Sequence, residues 1–202
     1  MKSLRPALTV ATLLALCTIA FTAAFGKSGQ QDHSQKGQTH EGKQSVAATA
    51  AKTEAQTSFE KLKNLEGSWQ GAMAIDPPSK EFDGKTVQLT LRATSMGNAL
   101  MHEMKVSGRP DDPITMLYLD GDRLLLTHYC DAGNRPRMVA KTSQDGKTVE
   151  FEFLDIAGGT EYGHMHHAAF TVIDANHHIE EWTFVEPGDK PVKVRFNLQR
   201  VG

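Results

Sequence analysis

Ile114-Thr115-Met116-Leu117-Tyr118-Leu119-Asp120-Gly121-Asp122-Arg123-Leu124-Leu125-Leu126-Thr127-His128-Tyr129 carries the pattern of a β-hairpin. Two apolar-rich runs meet at Asp120-Gly121, a strong two-residue turn signal between antiparallel strands. A tight turn there pairs Leu119 with Asp122, Leu117 with Leu124 and Thr115 with Leu126. Side chains alternate across a strand, so Leu124, Leu126 and His128 share one face. That face is the more apolar and points inward. Tyr118 and Arg123 then meet on the outer side.

The same grammar continues outward in both directions. Trp69, Gly71, Met73 and Ile75 share a face of a first strand that Asp76-Pro77-Pro78 ends. Val87, Leu89, Leu91 and Ala93 mark a second strand, and Leu100, His102, Met104 and Val106 a third, with Met96-Gly97-Asn98 turning between them. Beyond the central hairpin, Arg137 to Lys141 and Thr148 to Leu154 flank Gln144-Asp145-Gly146-Lys147. His164 to Ile173 and His178 to Val185 flank Asp174-Ala175-Asn176-His177, and Pro187-Gly188-Asp189 leads into a last strand with Val192, Val194, Phe196 and Leu198. About ten short, consecutive strands follow one short helix, whose stripe is Phe59, Leu62 and Leu65. A meander of this kind removes its exposed edges by closing on itself. The expected fold is an all-β, antiparallel up-and-down barrel of about ten strands, with a β-sandwich as the alternative. A barrel of that size is wide enough to hold a cavity.

The chain begins with a different kind of segment. Lys2 and Arg5 precede an uncharged apolar run, Ala7 to Phe21, and small residues follow, the pattern of a secretory signal peptide over 1–26. Leu14-Ala15-Leu16-Cys17 resembles a lipobox. Leu16 stands where a small residue is expected, which argues against lipid anchoring at Cys17. Residues 27–57 are rich in Gln, Ser, Lys, Gly, Ala and Thr and read as a disordered linker carrying His33 and His40. The folded domain is 58–202, secreted or periplasmic, with no membrane span once the signal is removed. Loss of Lys2 and Arg5 moves the formal charge from −2 to −4. No basic patch for nucleic acid remains. Cys130 is left as the single cysteine, so no internal disulfide supports the fold.

Leu65-Glu66-Gly67-Ser68-Trp69 after a short helix, and Phe196-Asn197-Leu198-Gln199-Arg200 in the final strand, resemble the calycin superfamily. In its lipocalins a Gly-x-Trp opens the first strand, and a basic residue near the barrel's end packs over the Trp. The resemblance implies that Trp69 and Arg200 close the barrel floor as structural residues. The domain is also similar to uncharacterised secreted bacterial lipocalin-like proteins. It departs from the haem-binding nitrobindin barrels, whose Trp-x-Gly-x-Gly-x-Gly opening is absent because Trp69-Gln70-Gly71 runs into Ala72-Met73-Ala74.

Strand parity then sorts the histidines. His102 and His128 share faces with apolar neighbours and point inward. His164 and His166 share one face and His167 the other, so at most two imidazoles of that run act together. His177 and His178 lie at a turn and read as surface residues. The preferred function is an exported binding protein that holds a small apolar or amphipathic molecule. Its cavity is expected to be lined by Met73, Leu89, Leu91, Leu100, Met104, Leu124, Leu126, Phe151, Phe153 and Phe196, with His102 and His128 as polar contacts. The alternative is a metal- or haem-binding barrel, with or without metal-dependent catalysis, built from His102, His128, His164, His166 and His167. Glu103, Glu180 or Glu181 would then serve as base or ligand. The imidazole set suits a divalent metal such as zinc ahead of haem. A third reading is a structural or interaction domain with a filled barrel; no protein partner is indicated. No nucleophile elbow, phosphate loop or dinucleotide fingerprint occurs, which favours binding over catalysis.

Overall fold

The computed structural model describes residues 51–110, 112–143 and 146–202. The signal segment with Cys17, linker residues 27–50 with His33 and His40, and Gln144-Asp145 of one expected turn lie outside the described residues. Helix α1 (Glu54–Lys63) starts ahead of Ser58, inside the segment read as linker. Its start is a capping box. The Thr53 hydroxyl accepts from the Gln56 N–H at 3.2 Å, and the Gln56 side chain accepts from the Thr53 N–H at 2.9 Å. The helix buries Phe59 and Leu62. No helix among the described residues is long and apolar enough to cross a membrane.

Ten strands follow: β1 (Gly67–Asp76), β2 (Thr86–Thr94), β3 (Ala99–Val106), β4 (Ile114–Asp120), β5 (Arg123–Tyr129), β6 (Arg135–Thr142), β7 (Thr148–Ala157), β8 (His164–Asp174), β9 (His177–Glu186) and β10 (Lys190–Val201). Each pairs antiparallel with its chain neighbour, and β1 pairs with β10, so the sheet closes as a ten-stranded barrel. Closure leaves no free edge and disposes of the sandwich alternative.

The β4–β5 hairpin turns one residue later than expected. Asp120 pairs with Arg123, Leu119 with Leu124, Leu117 with Leu126 and Thr115 with His128. The turn is Gly121-Asp122, with Gly121 at φ 62°, a conformation that glycine adopts without a Cβ clash. Every expected pair is therefore displaced by two residues, and Tyr118 faces Leu125 rather than Arg123. A shift of two preserves the faces, because the side-chain period is two. His128 stays inward.

Near β10, Gly71 allows a close approach: a Cβ there would lie 2.0 Å from the Asn197 carbonyl oxygen. The lower barrel is packed solid by Leu89, Leu91, Leu100, Leu117, Leu124, Leu126, Phe151 and Phe170, each at most 1% exposed. Full burial of such side chains contributes roughly 1.5–3 kcal/mol each. The barrel interior is thus a core over much of its length and opens toward the far ends of β1, β3 and β9.

Candidate functional site

At the floor, the Trp69 indole donates to the Leu65 carbonyl at 2.8 Å, and the Arg200 guanidinium sits 4.2 Å above the ring centroid. Arg200 also donates to the carbonyls of Glu66, Ala175 and Asn64 at 2.6, 2.9 and 3.2 Å. One side chain thereby ties the helix exit and the β8–β9 turn to the last strand.

Above Trp69 the inner face of β9 is polar. His178, Glu180 and Trp182 project inward at the strand period of two. His178 meets the Trp69 ring edge-on, with centroids 4.2 Å apart. Glu180 is wholly buried and accepts three hydrogen bonds: from His178 Nε2 at 3.1 Å, from the Trp182 indole at 3.0 Å, and from His102 Nε2 on β3 at 3.0 Å. The last bond crosses the barrel between strands that are not neighbours. Burial alone would push the Glu180 carboxyl up. The charge and hydrogen bonds of His102, with those of His178, outweigh it and hold the carboxyl well below the usual carboxylate range. The group is therefore an ionised acceptor, and both histidines donate through Nε2. Their Nδ1 atoms have no partner among the described residues.

Trp182 separates this network from an open cavity. Its ring lies 5.6 Å from His102 and 5.7 Å from His128, centroid to centroid. The cavity has a volume of about 300 Å³. Its walls are mainly apolar, with Met73, Met104, Met165, Trp182, Phe184 and Phe196 inside. Its polar lining is His128, Cys130, Arg109, Asp131 and Glu186, and Arg109 is ion-paired with Asp131. His128 is 4% exposed, and its Nδ1 lies 2.8 Å from the Thr115 hydroxyl across the β4–β5 pair. Burial, helped by the charge of His102, lowers the His128 pKa to about 4, so the ring is neutral near pH 7. Burial likewise pushes the Cys130 thiol up, so it is no ready nucleophile.

The structure divides the residues singled out in the sequence. Met73, Met104, His128 and Phe196 line the cavity. Leu89, Leu91, Leu100, Leu124, Leu126 and Phe151 are packed core beneath it, and His102 belongs to the Glu180 network. Phe153 stacks on His166 at 4.8 Å and lies outside the cavity wall. His164 and His166 are 3.2 Å apart, nitrogen to nitrogen. Burial and the neighbouring His166 push the His164 imidazole below its ordinary range.

His167 faces the opposite way from Met165 and meets Glu152. The reason is a β-bulge at His166: Met165 pairs with Phe184, yet His167, not His166, takes the next pairing with Thr183. A bulge inverts the parity beyond it. Met165 and Ala168 both face the interior as a result. Among the described residues, no three of His102, His128, His164, His166 and His167 share ligating reach. The one such cluster is Glu150, Glu152 and His167, half-buried, with ligand atoms within 4.8 Å of one another.

His178 corrects the surface assignment: it is 0% exposed. The turn ends at Asn176, so His178 is already the second residue of β9. Glu180, considered only as a conditional base or ligand, is instead the hub of the buried network. The signal for both was present, since His178 and Glu180 share the face of Trp182 and Phe184. Glu103 does not join the network, and Glu181 pairs with Arg195.

Comparison with protein-family models and with curated proteins finds no match. Among solved structures, the chain is similar to a protein of unknown function from the DUF3598 family of Nostoc punctiforme. The two share 12% identity and a TM-score of 0.48 over 69% of this chain and 49% of that one. This chain thus spans about half the length of that protein.

Proposed function

We propose that the protein is an exported binding protein that holds one small apolar or amphipathic molecule in the open half of its barrel. The observation that carries this reading is the cavity of about 300 Å³, apolar on its walls, which one buried and neutral imidazole, His128, helps to line. Natural ligand sites are mostly apolar pockets with a few orienting polar groups, from about 300 Å³ upward. A cavity of about 150 Å³ takes a benzene-sized molecule, so this one takes about twelve non-hydrogen atoms. The signal-like leader and the calycin resemblance support the same reading.

The geometry favours binding over catalysis. The buried carboxylate is consumed by three protein donors and is screened from the cavity by Trp182. Native mass spectrometry of protein purified gently from its own host tests the proposal. The expected result is a small-molecule mass excess that disappears on denaturation. A barrel that is always empty, and that takes up no apolar compound when offered, would overturn it.

A further inference from the structure

The tautomer of His128 decides which kind of ligand group the cavity accepts. Thr115 is 1% exposed, and its hydroxyl has one partner among the described residues, His128 Nδ1. A hydroxyl carries one proton to donate, and a neutral imidazole carries one N–H and one bare nitrogen. Were Nδ1 to hold the ring proton, it would donate to Thr115, and the hydroxyl proton would be buried with no acceptor. The nearby His102 does not take it, since its Nδ1 has no hydrogen-bond partner among the described residues, the Thr115 hydroxyl included, and its Nε2 donates to Glu180. With the opposite assignment Thr115 donates to Nδ1 and nothing is left over. The ring proton then sits on Nε2, which has no protein partner among the described residues and is not among the enclosed polar atoms. His128 lines the cavity, so its N–H donor is offered to the cavity's contents.

The charges nearby narrow the choice. Among the described residues, Asp131 and Glu186 line the cavity with one cation, Arg109, which is paired with Asp131. A ligand carboxylate would meet a neutral donor at His128 and, at the exposed rim, the Glu186 carboxylate left over from the Arg109–Asp131 pair, a mildly unfavourable field. A carbonyl oxygen accepts from His128 and brings no proton of its own, whereas an alcohol must also place its proton on a wall carboxylate, Asp131 or Glu186.

We propose that the ligand is an uncharged apolar molecule with a carbonyl-type oxygen (ketone, aldehyde or ester) that accepts a hydrogen bond from His128 Nε2. This rests on the cavity being a binding site, as argued above, and specifies what it reads. The methionines Met73, Met104 and Met165 supply adaptable apolar walls around the chain of such a molecule.

The test is a matched probe set, nonane, 2-nonanone and nonanoate, measured by displacement of a fluorescent apolar dye from the full chain. The ketone is expected to bind about tenfold more tightly than the alkane, the scale of one net hydrogen bond, and more tightly than the carboxylate. His128→Leu should abolish the preference of ketone over alkane while leaving alkane binding in place. Thr115→Val, which frees the tautomer, should reduce that preference. Nitrogen-15 NMR of the imidazoles should show the His128 proton on Nε2 at pH 7, a readout that does not depend on any ligand. A proton on Nδ1, equal binding of alkane and ketone, or tighter binding of nonanoate would each overturn the inference while leaving the cavity reading standing. Failure of all three probes to bind would overturn the cavity reading itself.

Discussion

Replacing Glu180 by leucine should cost as much stability as truncating a large aromatic side chain of the core. The side chain is wholly buried and accepts from His102, His178 and Trp182. Leucine has a similar volume, so no large cavity forms; what changes is that three buried N–H donors lose their acceptor. Each unpaired buried donor costs about 1–3 kcal/mol. Local relaxation absorbs part of this, and removal of one partner from a buried charged pair typically costs about 3–5 kcal/mol. That is a large share of the roughly 5–15 kcal/mol that holds a domain folded. With a urea dependence of about 2 kcal/mol per molar, the unfolding midpoint should fall by about 2 M. Glu180→Gln keeps one acceptor oxygen and should fall between the two. The assay is equilibrium urea unfolding followed by circular dichroism and tryptophan fluorescence, whose transitions must coincide. A Glu180→Leu protein within about 1 kcal/mol of the parent would refute the claim that this carboxylate organises the interior.

Further predictions follow from the same geometry. His128 is held neutral in the fold, with a pKa of about 4 against about 6.5 unfolded, so the unfolded chain binds more protons between those values. Its contribution is therefore present above pH 6.5 and lost as the pH falls toward 4. The loss is about 3 kcal/mol when complete, and His128→Phe should flatten that part of the stability–pH curve. The Glu180 carboxyl adds a loss of the same sign at lower pH, below the ordinary carboxyl range. Gly71→Ala would set a methyl group 2.0 Å from the Asn197 carbonyl and should lower stability by about 2 kcal/mol or more by urea unfolding, through forced displacement of β10. Because His102, His128 and the His164 to His167 run do not converge, any zinc found by elemental analysis after metal-replete expression should be lost in Glu152→Gln, at the Glu150–Glu152–His167 cluster, and kept in His128→Leu. A stoichiometric ion that is lost in His128→Leu would contradict the tautomer assignment as well.

The strands were legible because alternation is a local property of the chain. The central hairpin shows how tolerant that reading is: its register was displaced by two residues, yet His128 and Leu126 kept their faces. Parity fails where a residue is inserted. The bulge at His166 places Met165 and Ala168 on one side of β8, and nothing in His164-Met165-His166-His167 announces it. His178 was misplaced for a different reason, the limit of a turn, and a single residue there exchanges surface for core. The Glu180–His102 bond was beyond local pattern altogether. It exists because closure sets β9 opposite β3, and closure is a property of the whole sheet. Which apolar residues line the cavity and which fill the core was equally invisible, because Leu124 and Met104 alternate alike and differ only in height along the barrel.

Occupation of the cavity is read from the methionines, by carbon-13 NMR of their methyl groups during titration with 2-nonanone. Met73, Met104 and Met165 line the cavity; Met138 lies in the packed core, and Met96 is fully exposed. Saturable shifts confined to Met73, Met104 and Met165 are the predicted result. Spectra in which those three methyls stay fixed while the probe is in excess, or in which Met96 responds in their place, would contradict the account.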